Sequence, residues 1–117
     1  MFGFKRIVAA LTLLPSISSA APQNLEWPFD QSKNVATITT KQVIHKRYPI
    51  LTVVHYLEDH SWAFLCGTTN NSDDLMLVGM EQIVKLDPSL KSIADLPPGW
   101  SAYRKSTHSK WVRTKDE

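Results

Sequence analysis

The stretch ILTVVHYLEDHSWAFLCG, residues 50–67, constrains the fold more than any other part of the chain. A β-branched run over residues 50–57 meets the turn-forming Glu58-Asp59-His60. Residues 61–67 then alternate, placing Trp62, Phe64 and Cys66 on one face and Ala63 and Leu65 on the other. That pattern predicts a β-hairpin with one heavily apolar face, which needs further elements to cover it.

The flanking segments supply them. VATIT over residues 35–39 reads as a strand, and Thr39 or Thr40 then caps a short helix through KQVIHKR, with Val43 and Ile44 turned inward and Pro49 as its stop. The polar loop TTNNSDD, residues 68–74, leads to a returning strand, LMLVG. From Met80 the period changes, with Ile83, Val84, Leu86, Leu90, Ile93 and Leu96 recurring at helical steps. Asp87-Pro88 divides this run into two short helices, Asp87 capping the second and Pro88 in its first turn. Pro97-Pro98 cannot continue a helix and Gly99 permits a sharp turn, so the chain makes a rigid corner that sets Trp100 as a lid on the core. Residues 100–113 form a final strand or hairpin. The expectation is an α+β fold, a small antiparallel sheet with two or three short helices in a single domain.

Residues 1–20 read as a secretory signal. Lys5 and Arg6 provide the positive start, IVAALTLL the apolar stretch, and Ser18 and Ala20 the small residues for cleavage after Ala20. The apolar run is too short for a bilayer span, which takes about 20 residues, so no stable membrane anchor is expected after cleavage. Residues 21–33 then form an extended N-terminal arm whose Trp27 and Phe29 dock on the body, and residues 34–117 form the domain. The expected location is periplasmic or extracellular. Loss of Lys5 and Arg6 reduces the 13 Lys and Arg to 11, equal to the 11 Asp and Glu. A neutral exported chain without a basic stripe is not a nucleic-acid binder. Acids nevertheless gather in residues 51–100 and bases in residues 101–117. Cys66 is the single cysteine, so the domain folds without an internal disulfide.

Chemistry-bearing residues form no recognisable motif. His45, His55, His60 and His108 lack metal-site spacing, and no metal or cofactor is expected. Cys66, on the Trp62 and Phe64 face, reads as a small core side chain with a raised pKa rather than a nucleophile. Asp73 and Asp74 read as turn residues rather than half of a paired-carboxylate site. No catalytic residue is assigned and the chain is not expected to be an enzyme. Candidate binding residues are Trp100, Tyr103, Arg104 and Trp111, the side-chain types that anchor protein interfaces, together with Asp73 and Asp74.

WAFLCG after an acidic turn, LDPSL, and DLPPGW followed by an aromatic, an Arg and a later Trp together carry a resemblance. Residues 49–111 resemble small bacterial domains of unknown function grouped with the predicted immunity proteins of polymorphic toxin systems, the immunity-protein-33-like class. The resemblance implies an α+β domain without established catalytic residues that engages a protein partner, a toxin. In a chain with an export signal it implies a toxin that acts in the envelope. The alternative expectation is an envelope accessory or scaffold domain with no toxin partner.

Overall fold

The computed structural model describes residues 26–116; the expected signal peptide, its cleavage after Ala20 and residues 21–25 of the arm lie outside the described residues. The hairpin at the centre is β2 (Thr52–His55) and β3 (Trp62–Leu65), paired in antiparallel register with Val53 opposite Phe64 and His55 opposite Trp62. On the β3 side lies β1 (Ala36–Thr40), and beyond it β4 (Leu75–Gly79). On the β2 side lie β5 (Trp100–Tyr103) and the edge strand β6 (Val112–Lys115). The six-stranded order is therefore β4-β1-β3-β2-β5-β6. All pairs are antiparallel except β1 with β3, where Ile38 lies beside Ala63.

Three short helical segments follow from local chemistry. Helix α1 (Lys41–Lys46) starts where the Thr40 hydroxyl accepts from the Val43 N–H, and it ends at Arg47 in the left-handed region, two residues before the expected stop at Pro49. Helix α2 (Met80–Leu86) begins at Gly79 without a side-chain cap. Its orphan donors instead reach the backbone before β1: Met80 N–H to Val35 O and Glu81 N–H to Lys33 O, both 2.8 Å. A 3-10 helix (Pro88–Ile93) follows, capped by the Asp87 carboxylate, which accepts from the Ser89 N–H at 3.1 Å. A single 3-10 turn (Ser72–Asp74) also orders the polar loop.

Side-chain alternation divides the sheet into two unlike faces. Thr37, Thr39, Val53, His55, Trp62, Phe64, Val78 and Ala102 are buried on the first face. Most of them join one core with Phe29 of the arm, Val43 of α1, Met80, Ile83 and Val84 of α2, and Leu90, Ile93 and Leu96 beyond it. Phe29 sits edge-on to both Trp62, centroids 5.3 Å apart, and Phe64, at 6.5 Å, so the arm docks as its aromatics suggest. The helices thus place their buried side chains on one face, and among the described residues the other is left to the strands alone.

The corner before β5 is a turn in which Trp100 N–H donates to Pro97 O at 3.2 Å, with Gly99 at φ +86° in its third position. Pro before Gly is the composition a type II turn demands. Gly99 N–H also donates to His55 O, and Asp116 N–H to Gly99 O, at 2.7 and 2.8 Å. Trp100 is half-buried against the core, as the rigid-corner reading expects. A Cβ on residue 99 meets Leu57 Cβ only at an ordinary 3.6 Å, so the cost of Gly99→Ala comes from the backbone. It is predicted to lower unfolding free energy by about 1–2 kcal/mol, the left-handed penalty for a residue with a Cβ, measured by urea denaturation with no change in the native far-UV circular dichroism.

Candidate functional site: the uncovered sheet face

The second face carries Ala36 and Ile38 of β1, Ala63 and Leu65 of β3, Thr52 and Val54 of β2, Leu75 and Leu77 of β4, Ser101 and Tyr103 of β5, and Val112 and Thr114 of β6. Asp116, next in the alternation after Thr114, adds one carboxylate to this face, where it accepts the Ser101 hydroxyl at 2.8 Å; the other side chains are uncharged. The small central residues are shielded by their neighbours, with Ala63 fully buried and Ser101 only 3% exposed. The lateral strands are open: Leu75 and Tyr103 are each 46% exposed, Val112 65% and Leu77 68%. Scattered exposed apolar side chains are ordinary, but a contiguous sheet face that is apolar along both lateral strands is the kind of surface that marks an interaction site.

Two hollows shape this face. One, of about 230 Å³, is lined by Ile38, Leu75, Met76 and Leu77. The other, of about 340 Å³, lies between Tyr103 and Val112 and is rimmed by Lys105, Ser109 and Lys110. Both are shallow and apolar, without convergent polar groups to orient a reacting substrate, which is the lining of a contact surface rather than of a catalytic cleft.

The structure separates the residues singled out in the sequence. Tyr103 alone among the four β5–β6 candidates stands on the uncovered face. Trp100 points to the core opposite His55. Arg104, expected at an exposed rim, is buried, and each of its three nitrogens donates within the fold. Its Nε donates to Ile50 O at 2.9 Å, Nη1 to Ser89 Oγ at 2.9 Å, and Nη2 to Asp87 Oδ2 at 2.7 Å. The indole of Trp111 lies under the guanidinium, 4.2 Å from it to ring centroid. The pair therefore ties the β5–β6 loop to the 3-10 helix.

Asp73 and Asp74 lie in the 3-10 turn immediately before β4. The Thr69 hydroxyl donates to Asp74 Oδ2 at 2.6 Å. That bond, the Gln42 side chain and the nearby Lys41 and Lys46 hold the Asp74 carboxyl below the usual range. Most of the other acids in residues 51–100 are engaged locally, Asp95 by Arg113 at 2.9 Å, Glu81 by Lys33 at 3.7 Å and Asp59 by Ser61. The acidic middle of the sequence is consequently dispersed in space.

The Cys66 thiol is buried, and burial pushes it up. Hydroxyls of Thr40 at 3.5 Å and Thr68 at 3.1 Å, helped by nearby backbone N–H groups, outweigh that effect and hold it below its ordinary value. The raised value expected from burial alone is therefore corrected by hydrogen bonding to sulfur. Among the described residues no group of three or more His, Cys, Asp and Glu is placed to hold a metal ion.

One polar cluster had no sequence signal. His55 is buried on the core face, its ring stacked on Trp62 with centroids 3.9 Å apart. Nδ1 lies 2.7 Å from Leu96 O, and Nε2 is 3.4 Å from Asp30 Oδ2 without hydrogen-bond alignment. Asp30 in turn accepts the Trp62 indole N–H at 3.1 Å. Arm, hairpin and helical layer meet at this imidazole, which no solvent reaches. His60 lies 6.1 Å away, ring to ring, outside the cluster.

Comparison with protein-family models, with curated proteins and with solved structures finds no match to this chain. Among the described residues no helix is long and apolar enough to cross a membrane.

Two predictions follow from the buried groups. Arg104→Ala leaves Asp87 and Ile50 O without their donor and is expected to cost about 3 kcal/mol of stability, the low end for breaking a buried ion pair, read from the urea midpoint. Thr68→Val is expected to raise the pKa of Cys66 in the folded chain, read as a shift to higher pH in the titration of the Cys66 Cβ carbon resonance by NMR; an unchanged titration would show that the hydroxyl does not tune the sulfur.

Proposed function

We propose that this chain is an exported, non-catalytic protein-binding domain whose docking surface is the uncovered face of its sheet. The observation that supports this most is the uncharged, exposed set Leu75, Leu77, Tyr103 and Val112 at the lateral strands of one face. Burial of such side chains yields about 1.5–3 kcal/mol each, enough for a few of them to anchor a partner. The resemblance to immunity-like domains supports a toxin as that partner, and the export signal supports one that acts in the envelope.

In this reading the domain sequesters its toxin by covering it, with no bond made or broken. Tyr103 serves as the aromatic anchor, and Lys105 and Lys110 as its charged rim. Arg104 and Trp111 support the reading indirectly, since their buried stack holds the loop that carries those lysines.

The experiment expresses a toxin encoded beside this gene, directed to the envelope, with and without the full chain. Rescue of growth and co-purification of a stable complex are expected, and Tyr103→Asp is expected to weaken binding at least tenfold while leaving the thermal unfolding midpoint within a few degrees. Absence of rescue by a properly exported, folded chain overturns the toxin reading in favour of an accessory domain. A complex indifferent to Tyr103→Asp and to Leu77→Lys overturns the assignment of the face.

A further inference from the structure

The directions of the strands give the uncovered face a symmetry that a single chain does not use. Taking β1 and β3 as running up, β4, β2 and β6 run down and β5 runs up. Leu75, at the start of β4, is paired with Thr40 at the end of β1, and Val112, at the start of β6, with Tyr103 at the end of β5. Leu75 and Val112 therefore stand at the same end of the sheet and at opposite lateral edges. Asp73 and Asp74 precede the one, and Lys105 and Lys110 flank the other.

We infer that a second copy of this chain packs on the uncovered face, about a two-fold axis that runs parallel to the strands between β3 and β2. Such an axis keeps each level of the sheet and exchanges its sides. It lays β4 over β6 of the second copy, β1 over β5, and β3 over β2. The Tyr103 ring of one copy then enters the hollow formed by Ile38, Leu75 and Leu77 of the other, while Leu75 and Leu77 enter the hollow beside Tyr103 and Val112. Lys105 and Lys110 face Asp73 and Asp74 across the rim, twice by symmetry. The contact is isologous, as closed dimers require, and the sheets meet as in an aligned sandwich.

Size agrees with a reversible dimer. Strands about 4.8 Å apart, rising about 3.3 Å per residue, give the face a projected footprint of roughly 24 by 15 Å. With side-chain relief each copy buries about 600 Å², the lower edge of stable interfaces. An interface at that lower edge leaves room for a partner with better-fitting anchors to displace the second copy from the same surface. The inference rests on the face being a binding surface and is independent of what that partner is.

The test uses the chain exported in full and purified from the periplasm, with no toxin present, so that its failure is distinct from failure of the toxin reading. Sedimentation equilibrium from about 1 to about 200 µM, a range that brackets a micromolar dissociation constant, is expected to show the mass rising from one chain to two. Leu77→Lys is expected to shift that transition at least tenfold in concentration with the native circular dichroism kept. Cysteine variants fix the geometry: a short bis-maleimide, which spans sheets about 10 Å apart, is expected to give the mixed cross-link with a mixture of Leu75→Cys and Val112→Cys, whereas Leu75→Cys alone gives little, because the two-fold separates its copies by the width of the sheet. Cys66 is buried and stays out of the reaction. A chain that remains monomeric throughout, or a dimer that cross-links through Leu75→Cys alone, overturns the proposal.

Discussion

The environment of the Trp62 ring holds the two layers together. Its indole is stacked under His55, touched edge-on by Phe29 and satisfied at its N–H by Asp30. The ring is fully buried, and its only polar atom has a partner, which is the condition for burying an indole without penalty. Because Asp30 and Phe29 belong to the arm, burying Trp62 also fixes the chain's entry to the fold. Because His55 reaches Leu96 O, it fixes the end of the helical layer as well. Arm, helices and 3-10 segment all converge on this face, and a chain of this length has nothing comparable among its described residues for the reverse side.

That asymmetry links packing to function. Two-layer α+β domains bury one sheet face under helices, and the other face must be polar or covered. Here it is neither. Its polar side chains are few, Thr52, Ser101, Thr114 and the Asp116 carboxylate that Ser101 holds, and the lateral strands expose leucine, tyrosine and valine. Apart from Asp116, whose carboxylate already has the Ser101 hydroxyl as a partner, the charges near this face lie at its rim, so a partner that covers it desolvates few polar groups.

Much of the fold was legible in the sequence because its signals are local. The alternation of Trp62, Phe64 and Cys66, the change of period at Met80, the Asp87-Pro88 start and the Pro98-Gly99 turn each specify their own conformation within a few residues. Partner choice between strands is not local. Nothing in VATIT announces that β1 inserts between β4 and β3, parallel to one and antiparallel to the other. Nor does LMLVG say which of its faces is bare, since Met76 and Val78 are as apolar as Leu75 and Leu77. Arg104 followed an aromatic in a polar stretch and suggested a rim; its acceptors, Ile50 O and Asp87, lie far away in sequence and become visible only once the chain is folded. The Asp30 to His55 approach needed the docked arm, and the Cys66 shift needed two threonines brought to its sulfur.

The account stands on one face being core and the other being surface held for a partner. Methyl-resolved NMR of the folded domain with a soluble paramagnetic agent tests this most directly. At concentrations low enough for a single chain, the account predicts strong broadening at Leu75, Leu77 and Val112 and none at Val53, Ile83 or Leu90, with the broadening lost selectively as the face is covered. Protection of Leu77 and Val112 in the dilute monomer, or exposure of Val53 and Ile83, would contradict it.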